Sequence, residues 1–100
     1  MVVQIVRFRT ALSDAEVIER YRSRAEHYRS LAGLLQKHYL KYDTGERGAV
    51  YIWDSIESLK KFRQSDLAKG IVEAYQIQDA ADVRTAEVVL TLRPQPGGGI

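Results

Sequence analysis

Three consecutive side chains, Lys37, His38 and Tyr39, place an ammonium group, an imidazole and a phenol within one short stretch of a 100-residue chain. An imidazole or a phenol can relay a proton during a reaction, and a lysine ammonium can stabilise an oxyanion by its charge. We therefore predict Lys37, His38 and Tyr39 as catalytic residues. The alternatives are a lysine that snorkels to the surface and a hydrogen-bonded interior histidine.

Two aromatic residues and one arginine are candidates for holding a substrate. Tyr51 and Trp53 are two residues apart, so they share one face of a strand and can wall an aromatic ligand. Arg7 lies in the first apolar run and can attract an anionic substrate. We predict Tyr51, Trp53 and Arg7 as substrate-binding residues. For Tyr51 and Trp53 the alternative is plain packing in the core of an interface.

Metal and cofactor chemistry find little support in the sequence. The chain has two histidines and no cysteine, and His27 and His38 lack the spacing of metal ligands. No glycine-rich phosphate loop follows a strand, and no Ser-His-acid constellation is evident. We expect neither a metal ion nor a cofactor.

The composition is that of one globular domain. The 15 basic and 13 acidic residues give a net charge of +2, and their interleaving is unlike the concentrated basic face of a nucleic-acid-binding domain. The apolar N-terminal run is interrupted at Arg7, which makes it too short for a membrane span or a secretory signal. We expect a soluble, cytoplasmic protein that binds neither nucleic acid nor membrane.

Capping and turn signals divide the chain into elements. Ser13 with Glu16 three residues later is a capping box, Gly45 lies in a hairpin turn, and Asp54 and Ser55 offer caps for a second helix. The predicted elements are a strand at 2–9, a helix from the first cap to about 31, strands at 34–42 and 48–53, a second helix that breaks near 65, a further helical stretch at 66–77, and a strand at about 83–93.

This β-α-β-β-α-β order predicts an α+β, ferredoxin-like antiparallel sheet with the helices on one face. We place the single domain at residues 1–93 and a flexible C-terminal tail at 94–100.

In the predicted hairpin Leu40 lies opposite Val50. With this register, the side chains on the two faces of the hairpin differ in character. We predict that the helices cover the aliphatic face and that the aromatic face is left uncovered, which marks an interaction site. That face either binds nucleic acid by base stacking or closes against a second copy of the chain. The aliphatic face carries Leu34, Gln36, His38, Leu40, Val50 and Ile52, and the aromatic face carries Leu35, Lys37, Tyr39, Lys41, Ala49, Tyr51 and Trp53.

The third strand argues against nucleic-acid binding. RNA-recognition domains of this strand order carry a motif with aromatic stacking residues at fixed positions. Arg47 and Gly48 match the motif, but Ala49 replaces one stacking ring, and Asp54 replaces another with a charge that phosphates repel. The sequence therefore favours a second copy as the partner.

The segments VQIVRFR, LSDAEVIERY, GLLQKHYL and GAVYIWDSIESLKKFRQS resemble the small YdhR-type mono-oxygenases of the dimeric α+β barrel superfamily, which includes antibiotic-biosynthesis mono-oxygenases. The resemblance implies that two four-stranded sheets pair face to face in a homodimer. The resemblance leaves the reaction open, because some members of the superfamily oxidise phenols without metal or flavin and others degrade haem. The haem-degrading branch uses a histidine in the second helical region, and residues 55–79 contain none.

The leading hypothesis is a cofactor-independent mono-oxygenase that oxidises a small aromatic (phenolic) or lipophilic molecule held between the sheets of a homodimer. The alternative is a non-catalytic small-molecule-binding or dimerisation module of the same fold.

Overall fold

The computed structural model describes residues 1–93, and the predicted tail at 94–100 lies outside the described residues. Within this part, the chain forms four strands and four helices. They are β1 (Val2–Thr10), α1 (Asp14–Arg29), β2 (Leu34–Lys41), β3 (Arg47–Trp53), α2 (Ile56–Arg63), α3 (Asp66–Lys69), α4 (Ile71–Ala74) and β4 (Ile77–Glu87).

The four strands make one antiparallel sheet in the order β2-β3-β1-β4. Helices α1 and α2 pack against one face of the sheet, where their buried side chains meet those of β3. This is the ferredoxin-like arrangement, and the predicted fold class is confirmed. None of the helices within residues 1–93 has the length and apolar character needed to cross a membrane.

Local hydrogen bonds explain where the helices begin. At the start of α1 the backbone N–H of Glu16 donates to the Ser13 hydroxyl at 3.2 Å, and the Ser13 N–H donates to the Glu16 carboxylate at 2.9 Å, which confirms the capping box. Ser55 caps α2 by accepting from the Ser58 N–H at 3.2 Å. Gly33, at φ +84°, precedes β2, and a side chain there would collide with the Ser58 hydroxyl.

The predicted last strand is wrong in its bounds. β4 covers Ile77–Glu87 and pairs along the whole of β1, from Thr10 opposite Ile77 to Val2 opposite Glu87. Because β1 begins at Val2, residues beyond Glu87 have no strand residue of β1 to pair with. The apolar alternation that suggested a strand at 83–93 therefore lies largely beyond the sheet, and Leu90 is 80% exposed.

The hairpin register differs by two residues from the predicted one. His38 lies opposite Val50 rather than Ile52, and Leu40 lies opposite Gly48. A shift of two keeps every side chain on its predicted face, because side chains alternate with a period of two. The exception is an irregularity between Leu34 and Gln36, which places Leu34 opposite Trp53 on the helical side.

The prediction of which face the helices cover is wrong. Tyr28 of α1 and Phe62 of α2 pack against Tyr51 and Trp53, all four of them buried. The helices present large rings to the sheet, and burying the rings of β3 against them removes more apolar area from water than covering aliphatic side chains would. The aliphatic face is instead uncovered, and Ile5 at its centre is 39% exposed.

Gly48 provides a test of the packing between strands. A Cβ atom at this position would lie 1.9 Å from the backbone oxygen of Val6, and backbone cannot move away cheaply. We expect Gly48→Ala to lower the free energy of unfolding by about 1 to 3 kcal/mol, measured by urea denaturation. The control is Ser23→Ala on the exposed side of α1, for which a change under about 0.5 kcal/mol is expected. Equal values for the two variants would contradict the tight approach.

Candidate functional site

Four of the six predicted site residues come together beneath the helices. The Nζ atom of Lys37 lies 3.2 Å from the centre of the Tyr28 ring and 4.6 Å from the ring centres of Tyr39 and Tyr51. We call these three rings the tyrosine cage. Trp53 stacks on Tyr51 with ring centres 5.9 Å apart. The structure thus surrounds one amine with aromatic faces, an arrangement that attracts cations.

The other two predicted residues, His38 and Arg7, lie on the opposite face of the sheet, which we call the open face. His38 Nε2 is 3.2 Å from the Gln36 side-chain oxygen. Arg7 donates to the Glu46 carboxylate at 2.8 Å and stacks over the Tyr42 ring at 4.4 Å. Because strand side chains alternate, one chain does not bring these two groups to the tyrosine cage. Their predicted functional roles stay predictions.

Several site residues were given no function from the sequence. Tyr21, Arg24 and Tyr28 occur three and four positions apart on α1, so they share one helical face, and that spacing was the available signal. Tyr21 stacks on Tyr39 with ring centres 4.0 Å apart. Tyr75 follows α4 and lies 5.6 Å from Tyr21, and no sequence pattern pointed to it.

Burial changes the proton affinities of these groups. It lowers the pKa of Lys37 to about 7, and the positive charge of Arg24 acts in the same direction. Burial also raises the pKa of Tyr39 to about 12 and shifts the pKa values of Tyr51 and Tyr75 upward as well. At neutral pH these phenols therefore keep their protons. Lys37 is the group that can take up or release one under those conditions.

Buried polar atoms near the cage have no partner within residues 1–93. They are the hydroxyls of Tyr21, Tyr28 and Tyr75 and the Nε of Arg24, although the Nη2 of Arg24 donates to the Leu67 carbonyl at 2.7 Å. An unsatisfied buried polar group costs about 1 to 3 kcal/mol. Such atoms are available for hydrogen bonds to an ordered water or to a polar ligand that reaches them.

Two cavities meet at Lys37 and Tyr39. An inner cavity of about 20 Å³ is lined by the sheet, by Tyr21 of α1, by Ile71 of α4 and by Tyr75, which is room for about one water molecule. An outer cleft of about 300 Å³ opens between α1 and β2, at the lower end of the range for ligand pockets. Residues lining the cleft include Ala25, Tyr28, Leu34, Leu35, Lys37 and Tyr39.

The described residues offer no ready metal site, since no three His, Asp or Glu side chains among residues 1–93 group closely enough to hold an ion. The expectation that the protein uses neither a metal ion nor a cofactor stays a prediction.

Known structures of the same architecture superpose over nearly the whole chain. SnoaB, a cofactor-independent oxygenase from Streptomyces nogalater, gives a TM-score of 0.74 at 12% identity, over 93% of this chain and 97% of SnoaB. A MhuD variant with two manganese protoporphyrin IX molecules bound per active site gives 0.71 at 21% identity, over 92% and 98%. A protein of unknown function from Nitrosomonas europaea gives 0.74 at 12% identity, over 93% of each chain.

At these identities the likeness establishes the fold. It is the fold of the antibiotic biosynthesis monooxygenase structures, so the predicted resemblance is confirmed at the level of the fold. The narrower YdhR type stays a prediction. No protein-family model matches the chain. No curated protein sequence matches it significantly.

The lowered pKa of Lys37 predicts that the free energy of unfolding depends on pH. From pH 7 up to the ordinary lysine pKa of 10.5, the unfolded chain binds a proton at Lys37 that the folded chain does not, so the free energy of unfolding rises with pH in this range. Lys37→Met removes that dependence. We expect the variant to be more stable than the wild type below pH 7, by on the order of 2 kcal/mol. The difference should shrink as the pH approaches 10 in urea denaturation.

Lys41→Met is the matched control, because Lys41 lies on the same strand and face as Lys37 but is 54% exposed and paired with Asp14. A change under about 1 kcal/mol is expected for it. A Lys37→Met variant that is less stable than the wild type at pH 6 would show that the amine is not penalised by burial.

Proposed function

We propose that the protein is a cofactor-independent mono-oxygenase acting on a small phenol that binds in the outer cleft beside Lys37. The observation that carries the proposal is the position of the Lys37 amine, half-buried against the rings of the tyrosine cage, with its pKa lowered to about 7. A general base is most effective when its pKa lies near the working pH. The fold shared with SnoaB, described as a cofactor-independent oxygenase, supports the same class of reaction.

The reaction needs no external electron donor, because the substrate supplies the electrons. The free amine of Lys37 accepts the phenolic proton, and the resulting ammonium stabilises the phenolate. The phenolate transfers one electron to dioxygen, and the superoxide so formed joins the ring carbon para to the oxygen. The Lys37 ammonium then returns its proton to the peroxide oxygen, which gives a hydroperoxide at that carbon. Loss of one water from this hydroperoxide leaves a quinone. One phenol and one dioxygen thus give one quinone and one water.

The proposed position of the ligand differs from the one expected from the sequence. That expectation placed the ligand between two sheets, walled by Tyr51 and Trp53. Both rings face α1 and α2 of their own chain, and Lys37 and Tyr39 lie beside them. The proposed site is therefore between the sheet and the helices of one subunit, in the outer cleft that Tyr28, Lys37 and Tyr39 line.

We also propose that the protein is a homodimer formed through the open face. Ile5 and Val50 are paired on the two central strands of that face, and Ile52 and Leu40 extend the apolar patch across β3 and β2. A contiguous apolar patch on a sheet usually marks an interface. Arg7 and His38 would lie at this contact, away from the phenol.

The rate of oxygen consumption should follow the protonation of Lys37. With a small phenol in excess, kcat/KM is expected to rise with pH and to reach half its maximum near pH 7, because only the free amine accepts a proton. Lys37→Met should lower kcat by about 10² to 10⁴-fold, measured with an oxygen electrode. Lys41→Met should leave kcat unchanged.

Binding can be followed separately through fluorescence, since Trp53 is the only tryptophan and stacks on the cage ring of Tyr51. If a phenol quenches this fluorescence but the wild type consumes no more oxygen than buffer does, the protein is the non-catalytic binding module of the alternative hypothesis. If no phenol in a series of increasing size quenches the Trp53 fluorescence or raises oxygen consumption, both the oxygenase proposal and the binding-module alternative are contradicted.

The dimer proposal predicts the effect of a charge on the open face. Ile5→Lys should convert a dimer into a monomer in sedimentation velocity at micromolar concentration, because it places an ammonium group at the centre of the apolar patch. Ile18→Lys is the control, since Ile18 is 45% exposed on α1 and lies outside the patch. A wild-type chain that sediments as a monomer would overturn the proposal.

A further inference from the structure

We propose that Lys37 is also a covalent binding site for carbonyl compounds, whose amine forms an imine with a small aromatic or aliphatic aldehyde seated in the outer cleft. The amine is held over the Tyr28 ring at 3.2 Å, and Lys37 and Tyr28 both line the cleft. The cleft has apolar walls at Ala25 and Leu34. An aldehyde with an apolar body can therefore enter with its carbonyl carbon toward Nζ.

Two features of the site favour an amine that is free to attack. Nζ is withdrawn from water by the cage rings, and the cationic Arg24 disfavours a second positive charge nearby. Desolvation and a neighbouring cation are the two means by which proteins activate lysine as a nucleophile. With a pKa of about 7, the free-amine fraction at neutral pH exceeds that of an ordinary lysine by roughly a thousandfold.

The condensation balances without any further reactant. The Lys37 nitrogen bonds to the carbonyl carbon, and one N–H proton moves to the oxygen to give a carbinolamine. The Tyr28 hydroxyl, buried and without a partner in the described part of the chain, protonates the carbinolamine oxygen, which leaves as water. The iminium then returns its proton to Tyr28. One aldehyde and one amine thus give one imine and one water.

The test uses the full-length wild-type protein, so it does not depend on any variant folding. The protein is incubated with benzaldehyde and sodium cyanoborohydride, which reduces the imine to a stable secondary amine, and the labelled lysines are identified by peptide mass spectrometry. We expect Lys37 to be labelled at least about tenfold faster than Lys41 or Lys60 at pH 7. Labelling of Lys37 should be half-maximal near pH 7.

Matched variants confirm the assignment. Lys37→Met should lose the fast labelling, whereas Lys41→Met, altered on the same strand and face, should keep it. Tyr28→Phe should slow the labelling of Lys37 while leaving that of Lys60 unchanged. Labelling of Lys37 at or below the rate of the exposed lysines in the folded wild type would overturn the proposal. Because the assay needs neither phenol nor oxygen consumption, its failure is distinct from failure of the oxygenase proposal.

Discussion

The contact between Tyr28 of α1 and Tyr51 of β3 decides which side of the sheet is the interior. Their ring centres lie 6.2 Å apart, and Phe62 contacts both rings. Once Tyr51 faces the helices, strand alternation places its register partner Lys37 inside with it. The same alternation places His38 on the open face. Burial of the Tyr51 ring therefore also places the Lys37 amine on the helix-covered side of the sheet.

The core accommodates that amine in an unusual way. Three aromatic faces replace part of the water that a lysine ammonium would otherwise bind, while burial and Arg24 favour its neutral form. The surrounding rings are tyrosines rather than phenylalanines. The hydroxyl of Tyr28 in the cage and those of the nearby Tyr21 and Tyr75 lack partners among residues 1–93. A core selected for stability alone would contain fewer such groups, and their concentration around one amine is typical of a site where stability is exchanged for chemistry.

Local signals in the sequence were enough to predict the order of elements and the fold. The capping box at Ser13 and the alternating strands are encoded by near neighbours, and the two sets of hairpin residues were separated correctly apart from Leu34. The covered face was not predictable in the same way, because both sets contain residues that can be buried. Lys37 was chosen as a candidate from its type and strand, but its cage depends on Tyr28, which is nine residues earlier in the chain and on another element. Tyr75 reaches the site only through tertiary packing.

On one side the inner cavity is covered by Ile71 of α4 and by Tyr75 directly after it. Helix α4 and the preceding α3 have four residues each. Helices of a single turn have few internal hydrogen bonds and open locally at low free energy. Two arginines of α1 hold this cover, since Arg20 donates to the Ala74 carbonyl at 3.0 Å and Arg24 to the Leu67 carbonyl at 2.7 Å. Fraying of α4 would expose the inner cavity while the four strands stay paired. For the proposed reaction, such an opening would give dioxygen a route to Lys37 that is separate from the outer cleft proposed for the phenol.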